Sequence, residues 1–284
     1  MSLWAEDTRQ PLPGDWASRP TFRVRLHDGR SAILIETVPD AEAIQGHTIA
    51  DFVRIASYLR EQGLRAPEIY QADPGKGILL VEDFGGQSWG RILPDRQPDF
   101  YPAAADVLLR FKTMGTPTIN LPAFENSYIF GRTVWFLEHY KGDTDTGRRR
   151  AFIQIWDTLM LRLQNEKRVF VHGDFHPGNL MPLDNNEVGL LDFAAGMIGP
   201  GTYDLVNLLE DIRRAVPDDI KVAMKAKYQV DEDAYAILHA QFYCRLLGQM
   251  TKRGFSIPKA VPLALQSLIH RHSVLAPLKS LVLG

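Results

Sequence analysis

Between Val169 and Phe193 the chain has little choice of fold. Val169-Phe170-Val171 is a β-branched and aromatic run that reads as a strand, and it delivers the loop His172-Gly173-Asp174-Phe175-His176. Pro177-Gly178 turns the chain. Asn179-Leu180-Met181 and Val188-Gly189-Leu190-Leu191 then read as the arms of a hairpin around a polar turn, and the second arm ends on Asp192-Phe193. Strand, loop, hairpin and strand in that order are expected to bring Asp174, Asn179 and Asp192 within reach of one another.

Two carboxylates and an amide so arranged suit phosphoryl transfer, where the protein mainly positions groups and neutralises charge. Asp174 can take the proton of an attacking hydroxyl. Asn179, five residues on, and Asp192, beyond the hairpin, can hold Mg2+, a hard ion that binds one or two protein oxygens together with phosphate and water. The D-x-x-x-x-N spacing followed by an Asp-Phe pair is that of kinase-type catalytic loops. His172 and His176 are four apart, as in a zinc pair on a helix, but Gly173 and Pro177 argue for a loop and the metalloprotease Glu after the first His is missing.

The residues 172–180, Leu191-Asp192-Phe193 and Gly199-Pro200-Gly201-Thr202-Tyr203-Asp204-Leu205, taken together, resemble the aminoglycoside phosphotransferase-like kinases, relatives of protein kinases that act on small molecules. The resemblance covers nearly the whole chain from about Gly14. It implies an α+β, protein-kinase-like two-lobed fold: a small antiparallel-sheet lobe over residues 1–81, a hinge at 82–86 and a mostly helical lobe over 87–284. It implies ATP and Mg2+ as cofactors, Asp174 as base, His172 bracing the loop through backbone hydrogen bonds, and backbone groups near Glu82 and Phe84 on the adenine edge. In the family the residue matching Asp204 ties the catalytic loop in place. In the first turn of a helix it can equally serve the helix dipole, and the two roles can coexist.

Composition narrows the classes. The 284 residues suffice for one large domain or two lobes, and a net charge of -2 gives no argument for nucleic acid or membrane. The single cysteine, Cys244, rules out an internal disulfide and suits a reducing compartment, so the cytoplasm is expected. No apolar run approaches the length of a membrane span. The sequence carries no sign of an oligomeric state.

Residues 1–13 read as an irregular lead-in, shorter than the family's, which leaves room for residues before Met1. From Gly14 to Arg19 the chain resembles the Gly-Asp-Ala-Ser turn of sugar kinases, interrupted by Trp16, and Gly14 and Ser18 are candidates to cover phosphates. Strands are expected at 22–26 and 31–36 around an Asp28-Gly29 turn, a helix from Thr48 to Gln62-Gly63, and strands at 66–70 and 78–81. Kinase-like folds carry a lysine on the third strand, whereas this strand has Leu34 and Glu36 at the plausible positions. Arg19 and Arg23 are therefore the candidate cations for the phosphates. Helices are expected around 101–112 and 152–163, with a helix start near Arg148-Arg149-Arg150. The aromatics between Phe124 and Tyr140 are expected in the core. Gly199-Pro200-Gly201 should turn sharply, with Thr202 capping the next helix.

The acceptor is a small hydroxylated molecule. Residues 241–284 hold six Lys or Arg and no acid, which disfavours a polycationic aminoglycoside and favours an amino sugar. The run from Tyr203 to Asp211 also resembles the kinases of N-acetylmuramate and N-acetylglucosamine in cell-wall recycling. The alternatives are a nucleotide-binding pseudokinase or interaction module, and an aminoglycoside or amino-alcohol kinase.

Overall fold

The computed structural model describes residues 3–12, 20–43, 48–92 and 97–284. They form two compact units, one of residues 1–107 and 176–196, the other of residues 108–175 and 197–284.

The first unit is built on an antiparallel sheet of β1 (Gln10–Pro11), β2 (Thr21–Arg25), β3 (Ser31–Glu36), β4 (Ile69–Asp73) and β5 (Ile78–Glu82), in the order β1-β2-β3-β5-β4. Alternation sorts its two faces. Val24, Ala32, Leu34 and Leu80 pack on one side with Trp4 and Leu26. Ile33, Ile35, Leu79 and Val81 lie on the other, under Ile49, Phe52 and Val53 of the helix α1 (Ile49–Glu61). Thr48 caps α1 by accepting from the Asp51 N–H at 2.9 Å, and Gly63 ends it at φ +76°. The short helix α2 (Trp89–Ile92) and a hairpin of β7 (Leu180–Pro182) and β8 (Val188–Leu190) complete the unit.

Two expectations are corrected here. The lead-in is not irregular throughout: Gln10 and Pro11 pair with Arg23 and Phe22, and Trp4 is buried. The strand expected at 66–70 starts three residues later, at Ile69, after Pro67, which has no N–H to give a ladder.

The second unit is mostly helical. α3 (Gln97–Met114) enters it from the first, followed by two π-helical stretches at Glu125–Thr133 and Phe136–Tyr140 and by α4 (Thr146–Leu161), whose cap Asp145 accepts from the Arg148 N–H at 2.7 Å. β6 (Arg168–Val171) pairs antiparallel with β9 (Met197–Pro200). Then come α5 (Tyr203–Leu209), α6 (Asp218–Tyr228), α7 (Glu232–Lys252), α8 (Ala260–Arg271) and α9 (Lys279–Val282). α7 is buried along most of its length, as suits a helix at the centre of a core. Phe124, Tyr128 and Tyr203 form an aromatic triangle with centroids 4.7–5.4 Å apart, so this part of the aromatic stretch is core as expected.

Gly199-Pro200 is strand rather than turn, because it pairs with Val169 and Arg168, and the turn falls at Gly201-Thr202. Thr202 does not cap α5. Its hydroxyl donates to Glu166 at 2.8 Å instead. Among the described residues no helix is long and apolar enough to cross a membrane.

Candidate active site

The loop after β6 is fixed from beneath. Val169, Phe170 and Val171 are buried, and Arg168 anchors the strand through paired bonds of 2.6 and 2.7 Å to Glu125. Burial works against the Glu125 charge, but Arg168 outweighs it and holds the carboxyl below its ordinary range. His172 and Phe175 are buried, and Phe175 meets Phe111 of α3 with centroids 6.1 Å apart. Asp174, between them, is exposed.

Asp204 clamps the backbone that carries Asp174. One carboxylate oxygen accepts from the His172 N–H at 2.6 Å and the other from the Gly173 N–H at 2.9 Å. Asp204 also stands in the first turn of α5, so the clamp and the helix-dipole role coexist. Burial pushes its pKa up to about 7, against the pull of the two N–H groups. His172 Nδ1 accepts from the Asp174 N–H at 3.3 Å, the bracing role expected of it. From the other side the Tyr128 hydroxyl donates to the Gly173 carbonyl at 2.9 Å. Gly173 has φ +83°, and a Cβ there would stand 2.5 Å from that hydroxyl, so both backbone conformation and space demand glycine.

Asn179 and Asp192 belong to the first unit and are held as neighbours by the hairpin. His176 Nδ1 accepts from the Gly178 N–H at 3.0 Å and caps the single turn Pro177–Asn179. The Leu191 N–H donates to the Asn179 carbonyl at 2.9 Å, one step beyond the Leu180–Leu190 pair that closes the ladder. Asn179 is buried, and Asp192 is exposed at φ +55°, a left-handed conformation that costs a non-glycine residue energy and is often kept at functional sites. Phe193 is buried against Phe52 of α1, centroids 4.7 Å apart, which fixes the chain just after Asp192. An amide and a carboxylate are a donor set of the kind Mg2+ shares with phosphate and water. Among the described residues no group of three or more His, Cys, Asp or Glu side chains could hold a metal.

The segment 82–86 has an unforeseen centre in Asp83. Burial pushes that carboxyl up, but hydrogen bonds from Arg23 (2.6 and 3.0 Å), Ser31 (2.5 Å) and the Gly85 N–H (2.9 Å) hold it below its ordinary range. Arg23, a candidate phosphate cation, is thus paired with Asp83. Glu82 accepts from Arg65 at 3.0 Å. The Phe84 ring packs so closely on Gly189 of β8 that a Cβ there would sit 2.7 Å from it. Gly189→Ala is therefore expected to displace Phe84 and to destabilise the protein by about 1–3 kcal/mol, which denaturant unfolding of the two proteins would measure. Gly14, Ser18 and Arg19 lie outside the described residues.

A profile of the Phosphotransferase enzyme family matches residues 8–240. The chain belongs to that family. Its relatives include two proteins named N-acetylmuramate/N-acetylglucosamine kinase. The one from Pseudomonas aeruginosa is 30% identical over 71% of this chain and 59% of its own length, and the one from Caulobacter vibrioides is 28% identical over 84% and 79%. The match thus spans about three-fifths of the Pseudomonas relative. Among solved structures, an amicoumacin kinase in complex with AMP-PNP, Ca2+ and its ligand superposes with a TM-score of 0.66 at 13% identity, covering 94% of this chain and 88% of that one. The fold of this family member is accordingly the kinase-like α+β arrangement.

Sequence reasoning missed Asp83, Tyr128 and Arg245. Arg245 stands among the basic residues of the tail, but the structure buries it on α7 with its Nε donating to the Tyr203 hydroxyl at 3.0 Å. The sequence signal was local: Arg245 lies in the run Phe242-Tyr243-Cys244-Arg245-Leu246-Leu247, whose other residues favour burial.

Proposed function

We propose that this chain is an ATP- and Mg2+-dependent kinase that phosphorylates a hydroxyl of a small molecule in the cytoplasm. The acceptor is an amino sugar of the N-acetylmuramate or N-acetylglucosamine kind. In this reading Asp174 orients the acceptor hydroxyl and takes its proton, and His172 and Asp204 hold the backbone that carries it. Asn179 and Asp192 hold Mg2+, which neutralises phosphate charge. Residues 1–81 and 87–284 act as the two lobes and 82–86 as the hinge. Backbone groups near Glu82 and Phe84 take the adenine edge, and Gly14, Ser18, Arg19 and Arg23 are the candidates to contact the phosphates.

The observation that carries this reading is the clamp on the loop: residues 172, 173 and 175 are buried and 172–173 tied by Asp204, while Asp174 alone is exposed. A carboxylate presented on an immobilised backbone is what a positioned base requires. The names of the Pseudomonas and Caulobacter relatives favour the amino sugar.

One observation favours a second reading, a nucleotide-binding module without turnover. Leu34 is fully buried and Glu36 pairs with Arg9 at 2.7 Å, so neither expected lysine position on β3 offers a cation. An ADP-release screen with Mg2+ and ATP over N-acetylmuramate, N-acetylglucosamine, aminoglycosides and amino alcohols separates the readings. Turnover is expected with the N-acetylated sugars. Calorimetric ATP binding with no ADP release from any acceptor would establish the module instead.

A further inference from the structure

Resting on the reading of Asp174 as the base, we propose that Arg245 and Tyr128 are a pair of positioning residues: Tyr128 holds the Gly173 carbonyl, and Arg245 steadies both the Tyr128 ring and Tyr203, the neighbour of the Asp204 clamp.

Arg245 is 6% exposed, and a guanidinium taken so far out of water must be compensated. Its hydrogen bonds go to neutral groups: Nε to the Tyr203 hydroxyl at 3.0 Å, Nη1 to Gln249 at 3.3 Å and Nη2 to Asn207 at 3.5 Å. Its plane lies over the rings of Tyr128, 4.7 Å away, and Phe242, 5.5 Å away. The balancing negative charge is felt at longer range, from Asp174 and Asp204.

Two routes lead from Arg245 to the loop. Through the ring beneath it, Arg245 steadies Tyr128, whose hydroxyl donates to the Gly173 carbonyl. Through Tyr203 it holds the first residue of α5, next to Asp204. Other titratable groups also face the clamp. His172 and Asp174 lie in the loop, and Tyr228 of α6 bonds the Gly201 carbonyl beside it. Further out, Arg132 lies over the Tyr128 ring, Lys112 lies over the Tyr228 ring, and Glu166 holds Thr202. The Arg245 charge lowers the Asp204 pKa, more weakly than the two N–H groups do.

Both oxygens of Asp204 accept, which is the geometry of the ionised carboxylate. A proton on either oxygen turns an acceptor into a donor and weakens one of the two N–H bonds. Without the Arg245 charge that proton arrives at a higher pH, and the clamp on His172 and Gly173 opens there.

The test uses the full chain with Arg245→Met, Arg245→Gln, Arg245→Lys and Tyr128→Phe. Two quantities are followed against pH: kcat, and hydrogen exchange of the peptide over 169–175 corrected for intrinsic rates. Losing the charge is expected to move the acid limb of kcat to higher pH, with KM for ATP unchanged, and to move the loss of amide protection with it. Arg245→Lys should restore the parent limb. Tyr128→Phe should lower kcat roughly tenfold with the limb in place. Should Arg245→Met fold poorly, Arg245→Gln, which keeps a donor for Tyr203, carries the test. Neutral variants with the parent's limb and exchange profile would overturn the proposal. The exchange arm needs no turnover, so a parent that transfers no phosphoryl group sinks the kinase reading alone.

Discussion

Replacing Asp174 with Asn is expected to abolish phosphoryl transfer while ATP binding persists. Asn matches Asp in shape but cannot take a proton from an alcohol, and general-base assistance of this kind contributes about 10²–10⁴-fold. The fold around it should not respond, because the neighbours of Asp174 are fixed by other groups: His172 and Gly173 by Asp204, Gly173 by Tyr128, and Phe175 by its burial against Phe111. The acceptor screen gives the kinetic half of the measurement, and calorimetry with ATP and Mg2+ gives the binding half. A variant with kcat within a few fold of the parent would remove Asp174 from the role of base.

Removing the clamp should cost both stability and activity. In Asp204→Ala two buried N–H groups lose their acceptor, at about 1–3 kcal/mol each, and the loop they belong to is the one that presents Asp174. Asp204→Asn isolates the charge. Burial raises the native pKa of Asp204 from 3.8 to about 7, so the folded protein binds a proton between those values that the unfolded chain has released. This group's contribution to stability is therefore full below about pH 4 and is lost as pH rises through 7. Carboxyls held low, such as Asp83 and Glu125, give the opposite slope and are common to both proteins. Unfolding free energy measured by denaturant from pH 4 to 8 should thus fall with pH more steeply in the parent than in Asp204→Asn. Identical slopes would show that Asp204 does not titrate in this window.

The reach of the sequence can be judged from single residues. The strands around Asp28-Gly29, the helix from Thr48 to Gln62-Gly63 and the hairpin after Asn179 were legible because each has a local cause: alternation, apolar residues at helical spacing with a glycine stop, a turn. Asp204 was legible only as two possible roles, since nothing local distinguishes a carboxylate serving its own helix from one reaching back to residues 172 and 173. Arg23 was read as a candidate cation for the phosphates, and its partner Asp83 went unseen because it is sixty residues away, and a pair that distant leaves no trace in either neighbourhood. Thr202 failed as a cap for the same reason: Glu166 competes for its hydroxyl from another part of the chain. Gly199-Pro200 misled in the opposite direction, since a dipeptide typical of turns was recruited into a strand by pairing with β6.

The short β1 strand has a practical meaning for anyone handling this protein. With Trp4 it closes the outer flank of the five-stranded sheet, where β2 would otherwise offer a row of unpaired N–H and C=O groups to other molecules. Trimming the first dozen residues as dispensable would open a sticky seam, so affinity tags and truncations should leave Trp4, Gln10 and Pro11 in place.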